Sequence, residues 1–161
     1  MKSVEDAFDR LFLAPPVVER VMWPAFDTAC IEVYVLREDL RHPVLGGNKL
    51  WKLKYNLKAF ASSGCSGIVT LGGAYSNHVR AISEACALRQ IPLHVFIRGD
   101  ESVTNERLER IKAKGTRLHF VSREAYRQRN DDDVIRIWIK QRGIAEDFFV
   151  IPEGADNEHG R

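Results

Sequence analysis

The sequence predicts an α/β fold, a parallel sheet with helices on both faces, and three observations lead there. Short β-rich apolar runs alternate with helix-period segments every 25 to 30 residues between positions 52 and 151. Each run ends in glycine, proline or a polar break, which is the punctuation of βαβ units. The composition is that of a chain with a real core: 161 residues, 45% hydrophobic and 29% charged. A chain of that length buries roughly 70% of the surface its unfolded form exposes.

The elements follow in order. Residues 1–29 hold two proline-containing segments with Phe12 and Trp23 among apolar neighbours, and read as an arm that packs on something. Cys30–Leu36 reads as a strand, paired with residues near Pro43–Leu45. Leu50–Ser62 places Leu53, Leu57 and Phe60 on one helical face. Gly67–Leu71 is a buried strand closed by Gly72-Gly73, and Val79, Ile82, Ala85, Cys86 and Leu88 then recur at helical spacing. Pro92–Ile97 is the next strand. Thr104–Lys114 is a helix with Asn105 or Thr104 as cap and Gly115 as stop. Arg117–Val121 is the third strand. Val134–Gln141 alternates isoleucines like a strand, but acids before it and bases after it suit a helix dipole, so a helix is expected. Phe148–Ile151, broken by Pro152, is the fourth strand.

Charge and cysteine exclude more than they identify. The net charge of +2 gives no case for nucleic acid, and the run Arg123–Arg129, followed by Asp131, Asp132 and Asp133, reads as a solvated loop face. No apolar run approaches the ~20 residues needed to span a bilayer. Nor does the amino-terminal segment have a signal peptide's unbroken hydrophobic core. Cys30, Cys65 and Cys86 are odd in number and lack C-x-x-C spacing, which implies reduced thiols and a cytoplasmic location. The five histidines have no partners at metal-ligand spacing.

Two segments carry chemistry. In Gly46-Gly47-Asn48-Lys49-Leu50-Trp51-Lys52, the glycines let backbone approach a ligand closely. Lys49 enters at the first helical turn, where free N–H groups and the dipole favour an anion and a free amine can form a Schiff base. The segment alone fits a glycine turn with a surface lysine better than it fits a cofactor site. Gly72-Gly73-Ala74-Tyr75-Ser76-Asn77-His78 lies at the carboxyl end of a parallel strand, where open α/β sheets bind ligands. Ser76 and Asn77 either cap the helix or face an anion such as a substrate carboxylate. His78 is a packing, capping or acid–base residue. Neither a G-x-G-x-x-G fingerprint nor a Walker loop is present.

Taken together, G-G-N-K-x-x-K and then G-G-x-x-S-N-H-x-R resemble the pyridoxal-phosphate enzymes of the 1-aminocyclopropane-1-carboxylate deaminase and D-cysteine desulfhydrase family, of the tryptophan-synthase-β-like fold. Lys52–Leu57, Phe96–Gly99, Leu118–Glu124 and Ile151–Gly154 extend the resemblance across about residues 30–160. The resemblance implies pyridoxal 5'-phosphate as cofactor and loss of ammonia or hydrogen sulfide from a small amino acid to leave a 2-oxo acid. By the same resemblance, Lys49 is the lysine that binds the cofactor covalently and Lys52 the second lysine of its motif. Asn77 lies against the pyridine ring and its 3'-oxygen, and also meets substrate. Ser76 meets the substrate carboxylate as a candidate nucleophile, and His78 is a substrate-side residue. Several positions depart from the family pattern. Tyr75 and Trp51 stand where many members have glutamine and arginine. His78 is desulfhydrase-like where the deaminase proper has glutamine, which inclines away from strict cyclopropane substrates. Glu153–Asn157 lacks the usual second glycine and Ser/Thr.

Members of that family are about twice this length, so the resemblance divides the chain unevenly. Residues 1–51 are expected to be an arm and strands of an incomplete large domain, with the lysine motif. Residues 52–151 are the α/β small domain, and 152–161 begin a return to the large domain. A chain ending at Arg161 would lack the glycine-rich phosphate loop, which predicts weak cofactor affinity. It would also expose apolar surface around Val33, Val35, Phe12 and Trp23, which predicts self-association as a homo-oligomer or pairing with a missing carboxy-terminal half. The alternatives are a non-catalytic α/β binding or scaffold module derived from the family, and an unrelated flavodoxin-like module that binds an anion at Ser76 and Asn77.

Overall fold

The computed structural model describes residues 15–102 and 104–160. Strands β1 (Val18–Arg20) and β2 (Tyr34–Leu36) form an antiparallel ribbon, with the short helix α1 (Pro24–Thr28) between them. Helix α2 (Asn48–Ser63) leads into β3 (Gly67–Gly73), α3 (Asn77–Arg89), β4 (Leu93–Arg98), α4 (Glu106–Ala113), β5 (Arg117–Val121), α5 (Asp132–Gln141) and β6 (Phe148–Ile151). These last four strands make one parallel sheet in the order β5-β4-β3-β6.

That order explains the two-faced core. The chain steps from β3 to β4 to β5 and then crosses back past β3 to β6. Right-handed crossovers put helices on one face for the outward steps and on the other for the return. Accordingly α2, α3 and α4 bury Leu53, Ile82 and Leu108 against Ile68, Val95 and Ile97. Across the sheet, α5 buries Ile135, Trp138 and Ile139 against Val69, Leu71 and Phe96. Alternate residues of one strand thus enter different cores, which is why β3 reads as an unbroken apolar run.

Local chemistry sets the helix ends. Asn105 accepts from the Leu108 amide and Asp131 from those of Asp133 and Val134, while Gly64 closes α2 in the left-handed region. In α5, Ile135 and Ile139 are buried and Ile137 is 53% exposed, so helical spacing decides the segment that also alternated like a strand.

Three expectations change. The Cys30–Leu36 strand shortens to Tyr34–Leu36 because Cys30 takes a left-handed φ of 54° and the Ile31 amide bonds back to the Phe26 carbonyl, closing α1. Its partner is Val18–Arg20 and not Pro43–Leu45, since the Val44 and Leu45 amides both donate to His42 Nδ1 and make a turn there. Helix α2 spans Asn48–Ser63 and so starts two residues before the expected Leu50, which puts Lys49 and the apolar face of the helix on one element.

Of the arm residues expected to be exposed, Trp23 and Val35 are exposed and Val33 is half-buried, while Phe12 lies outside the described residues; Val18 and Tyr34 are exposed beside them on the ribbon. No helix among the described residues is long and apolar enough to cross a membrane.

Candidate functional site

The turn after β3 is built by close packing. A Cβ on Gly72 would stand 2.4 Å from Val79 Cγ2, so only glycine lets the strand end press against the start of α3. Ser76 is the N-cap: its backbone is extended and its Oγ accepts from the Val79 amide at 3.3 Å. Asn77 and His78 follow as the first two helical residues, where amides point out of the helix end without an intrahelical acceptor. Arg107, from α4, donates to the Tyr75 carbonyl and, at 3.5 Å, to Asn77 Oδ1. The Asn77 amide nitrogen is thereby left as the free donor of that side chain.

Lys49 arrives from the opposite wall. His42 holds the preceding turn through its two accepted bonds, and Gly46 packs so tightly that a Cβ would meet the Asp39 carbonyl oxygen at 2.5 Å. Gly47 then takes a φ of +80°, which turns the chain into α2 with Lys49 in its first turn. The result is a cleft of about 290 Å³ walled by Gly46, Gly47, Asn48, Lys49, Asn77 and Arg80. Arg80 reaches across and donates to the Pro43 carbonyl at 3.2 Å, tying α3 to the lysine-bearing turn.

Of the residues expected at the site, Lys49 and Asn77 line this cleft and Ser76 caps the helix beside Asn77. Lys52 sits one helical turn beyond Lys49, half-buried. The His78 imidazole lies in the core beneath the turn, 2% exposed, so the backbone amide is the part of His78 at the helix start. Its Nε2 donates to Thr70 Oγ1 at 2.9 Å, because Thr70 spends its own proton on the Ile151 carbonyl at 2.7 Å. Nδ1 is left buried and unpartnered. Burial first, and then the charges of Lys49 and Lys52, lower the His78 pKa from 6.5 to about 4.

Sequence reasoning missed several residues that hold this arrangement. His42 acts through the amides two and three residues on, while Arg107 and Thr70 act through partners on other elements. So does Asn157, whose amide donates to the buried Asn56 Oδ1 at 2.8 Å, while Asn56 donates to the Lys52 carbonyl. No spacing rule in the sequence marks any of them. Asn157 thus fastens the segment after β6 to the helix carrying both lysines.

An amine, an amide donor and outward helix-end amides around two glycine turns suit a flat, anionic aldehyde such as pyridoxal phosphate. Nothing stands within 4 Å of the position a Cβ would take on Gly47, so that wall of the cleft is uncovered. Among the described residues no cluster of three potential metal ligands occurs.

An open parallel sheet with a lysine facing the glycine turn at a strand's carboxyl end defines an α/β protein of the cofactor-binding kind. The sequence pattern of the pyridoxal-phosphate dependent enzymes matches residues 21–160, and the chain belongs to that family. It is 35% identical over 130 residues to the Thermotoga maritima protein named "Putative 1-aminocyclopropane-1-carboxylate deaminase", covering 80% of this chain and 41% of that one. It is 27% identical over 140 residues to the Arabidopsis thaliana mitochondrial bifunctional D-cysteine desulfhydrase/1-aminocyclopropane-1-carboxylate deaminase, covering 80% of this chain and 34% of the relative. The crystal structure of an ACC deaminase homologue shares the fold, with a TM-score of 0.70 and 24% identity over 93% of this chain and 45% of that one. The chain therefore spans less than half the length of these relatives, which are pyridoxal-phosphate-dependent enzymes.

Proposed function

We propose that this chain supplies the lysine-bearing wall and small domain of a pyridoxal-phosphate-dependent lyase. Its substrate would be a small amino acid, D-cysteine or one like 1-aminocyclopropane-1-carboxylate, which loses hydrogen sulfide or ammonia to give a 2-oxo acid. The observation that carries this reading is the meeting of Lys49 and Asn77, from separate elements, across one cleft. When bound, the cofactor supplies an electron sink for the substrate's α-carbon. Lys49 holds it covalently and carries protons on its ε-amine. Asn77, whose Oδ1 accepts from Arg107, would offer its amide nitrogen to the ring's 3'-oxygen. Ser76 and the amides of Asn77 and His78 receive the substrate carboxylate at the positive end of α3. Lys52 adds positive charge one turn away and helps keep His78 neutral.

In this reading residues 1–51 belong to a large domain, 52–151 form the small domain, and 152–161 start the return. The surface left by the ribbon is covered by a second copy or by the part of the fold that the longer relatives carry. The three free cysteines support a reducing, cytoplasmic setting.

Incubation with pyridoxal phosphate, borohydride reduction and peptide mass spectrometry tests the reading. A cofactor mass on Lys49, absent in Lys49→Ala, is expected. A folded protein with no adduct, or with adducts spread equally over surface lysines, refutes it in favour of a non-catalytic module. Assays for sulfide and ammonia with the two amino acids then separate the substrates.

A further inference from the structure

The arginine-rich segment 123–129 reads from sequence as a solvated face, but the fold places a buried tyrosine and a fourth arginine with it. Arg98, at the end of β4, joins Arg123, Arg127 and Arg129 around Tyr126 in an open pocket of about 390 Å³. The guanidinium groups of Arg98 and Arg129 lie 5.9 and 5.3 Å from the centre of the Tyr126 ring. Tyr126 is only 2% exposed, and its hydroxyl is buried without a hydrogen bond of acceptable geometry. Burial, and then the nearby Glu153 carboxylate, raise its pKa, so the hydroxyl keeps its proton as a donor.

The wall of the pocket contains no carboxylate. Two acids act from outside it: Glu153 pairs with Arg129, and Asp100, held by Ser102, lies within electrostatic reach of Arg123. Arg98, Arg123 and Arg127 therefore outnumber the opposing charge, and they come from two separate segments. The pocket is on the α5 side of the sheet, whereas the Lys49 cleft involves α2 and α3. The two are neighbours through Arg98, since a Cβ on Gly73 would stand 3.8 Å from Arg98 Nη2.

We propose that this pocket binds a phosphate group, either free or on a small ester. Planar guanidinium forks arriving from several directions suit an oxyanion with three acceptor oxygens and a charge near −2, better than a lone carboxylate. The buried Tyr126 hydroxyl, which keeps its proton beside Glu153, is a further donor for such a group. The site is separate from the proposed Lys49 chemistry and stands or falls without it.

Calorimetric titration of the 161-residue chain at fixed ionic strength, with inorganic phosphate and with phosphoserine, tests this. Saturable one-site binding is expected, weakened at least tenfold in the double variant Arg123→Gln/Arg127→Gln and several-fold in Tyr126→Phe. Lys49→Ala should leave it unchanged, which separates failure here from failure of the lyase reading. The arginine substitutions are at exposed positions and spare the core. Tighter binding of phosphoserine identifies an ester as the natural ligand, and equal or weaker binding identifies free phosphate. Binding that chloride displaces equally well, or that survives in either variant, overturns the proposal.

Discussion

Replacing His78 with glutamine removes a titrating group from beneath the glycine turn while keeping an N–H for Thr70. In the folded chain the imidazole is 2% exposed and its pKa falls from 6.5 to about 4, through burial and then the charges of Lys49 and Lys52. The unfolded chain takes up the proton near 6.5, so between those values it binds more protons than the folded chain. Stability is then fully present above about 6.5 and is lost as pH falls toward 4. At 1.36 kcal/mol per pH unit, the share belonging to His78 comes to about 3 kcal/mol at pH 4. Every other titratable group is common to both proteins. Urea unfolding of wild type and His78→Gln at matched pH isolates the effect: the stability difference should shift in favour of glutamine by about 3 kcal/mol from pH 7 to pH 4. A difference that stays constant with pH, or an NMR titration of His78 near 6.5, refutes the burial argument.

Asn157→Ala leaves the buried Asn56 carbonyl oxygen without its donor and should cost about 1–3 kcal/mol by urea unfolding; an unchanged midpoint would show that the link to α2 is idle. Gly72→Ala drives a methyl group into Val79 and should cost about 1–3 kcal/mol, read by thermal melting, with wild-type stability counting against the packing of the turn. The ribbon exposes Val18 and Val35, at 60% and 40%, and sedimentation should show self-association that Val18→Lys/Val35→Lys reduces. A monodisperse wild-type monomer would contradict that expectation.

Much of the fold was legible because it rests on local signals. Asn105 caps its helix as its position suggests, Gly115 follows α4 with a φ of +86°, and each strand of the parallel sheet lies within a residue or two of its apolar run. The amino-terminal pairing was not legible. Tyr34–Leu36 meets Val18–Arg20 across α1, while residues 42–45 close a turn on the His42 ring, a local bond that no residue pattern announces. At the candidate site, the lysine and the serine-asparagine pair were visible as residue types beside glycines. The partners that orient them and the adjoining His78 were not, because Arg107 reaches Asn77 and Thr70 reaches His78 through bonds that no spacing rule encodes.

By itself the sequence determined the βαβ alternation, the glycine turns and the lysine set at a helix start, since each follows from backbone freedom and periodicity within a few residues. Only the tertiary structure decided that the His78 ring is core and not cleft. It also decided that Asn157 secures the lysine helix, and that an arginine run surrounds a buried tyrosine. The reason is physical. Burial and the partnering of polar atoms depend on which distant segments the sheet order brings together, and the β5-β4-β3-β6 arrangement joins residues that lie tens of positions apart in the chain.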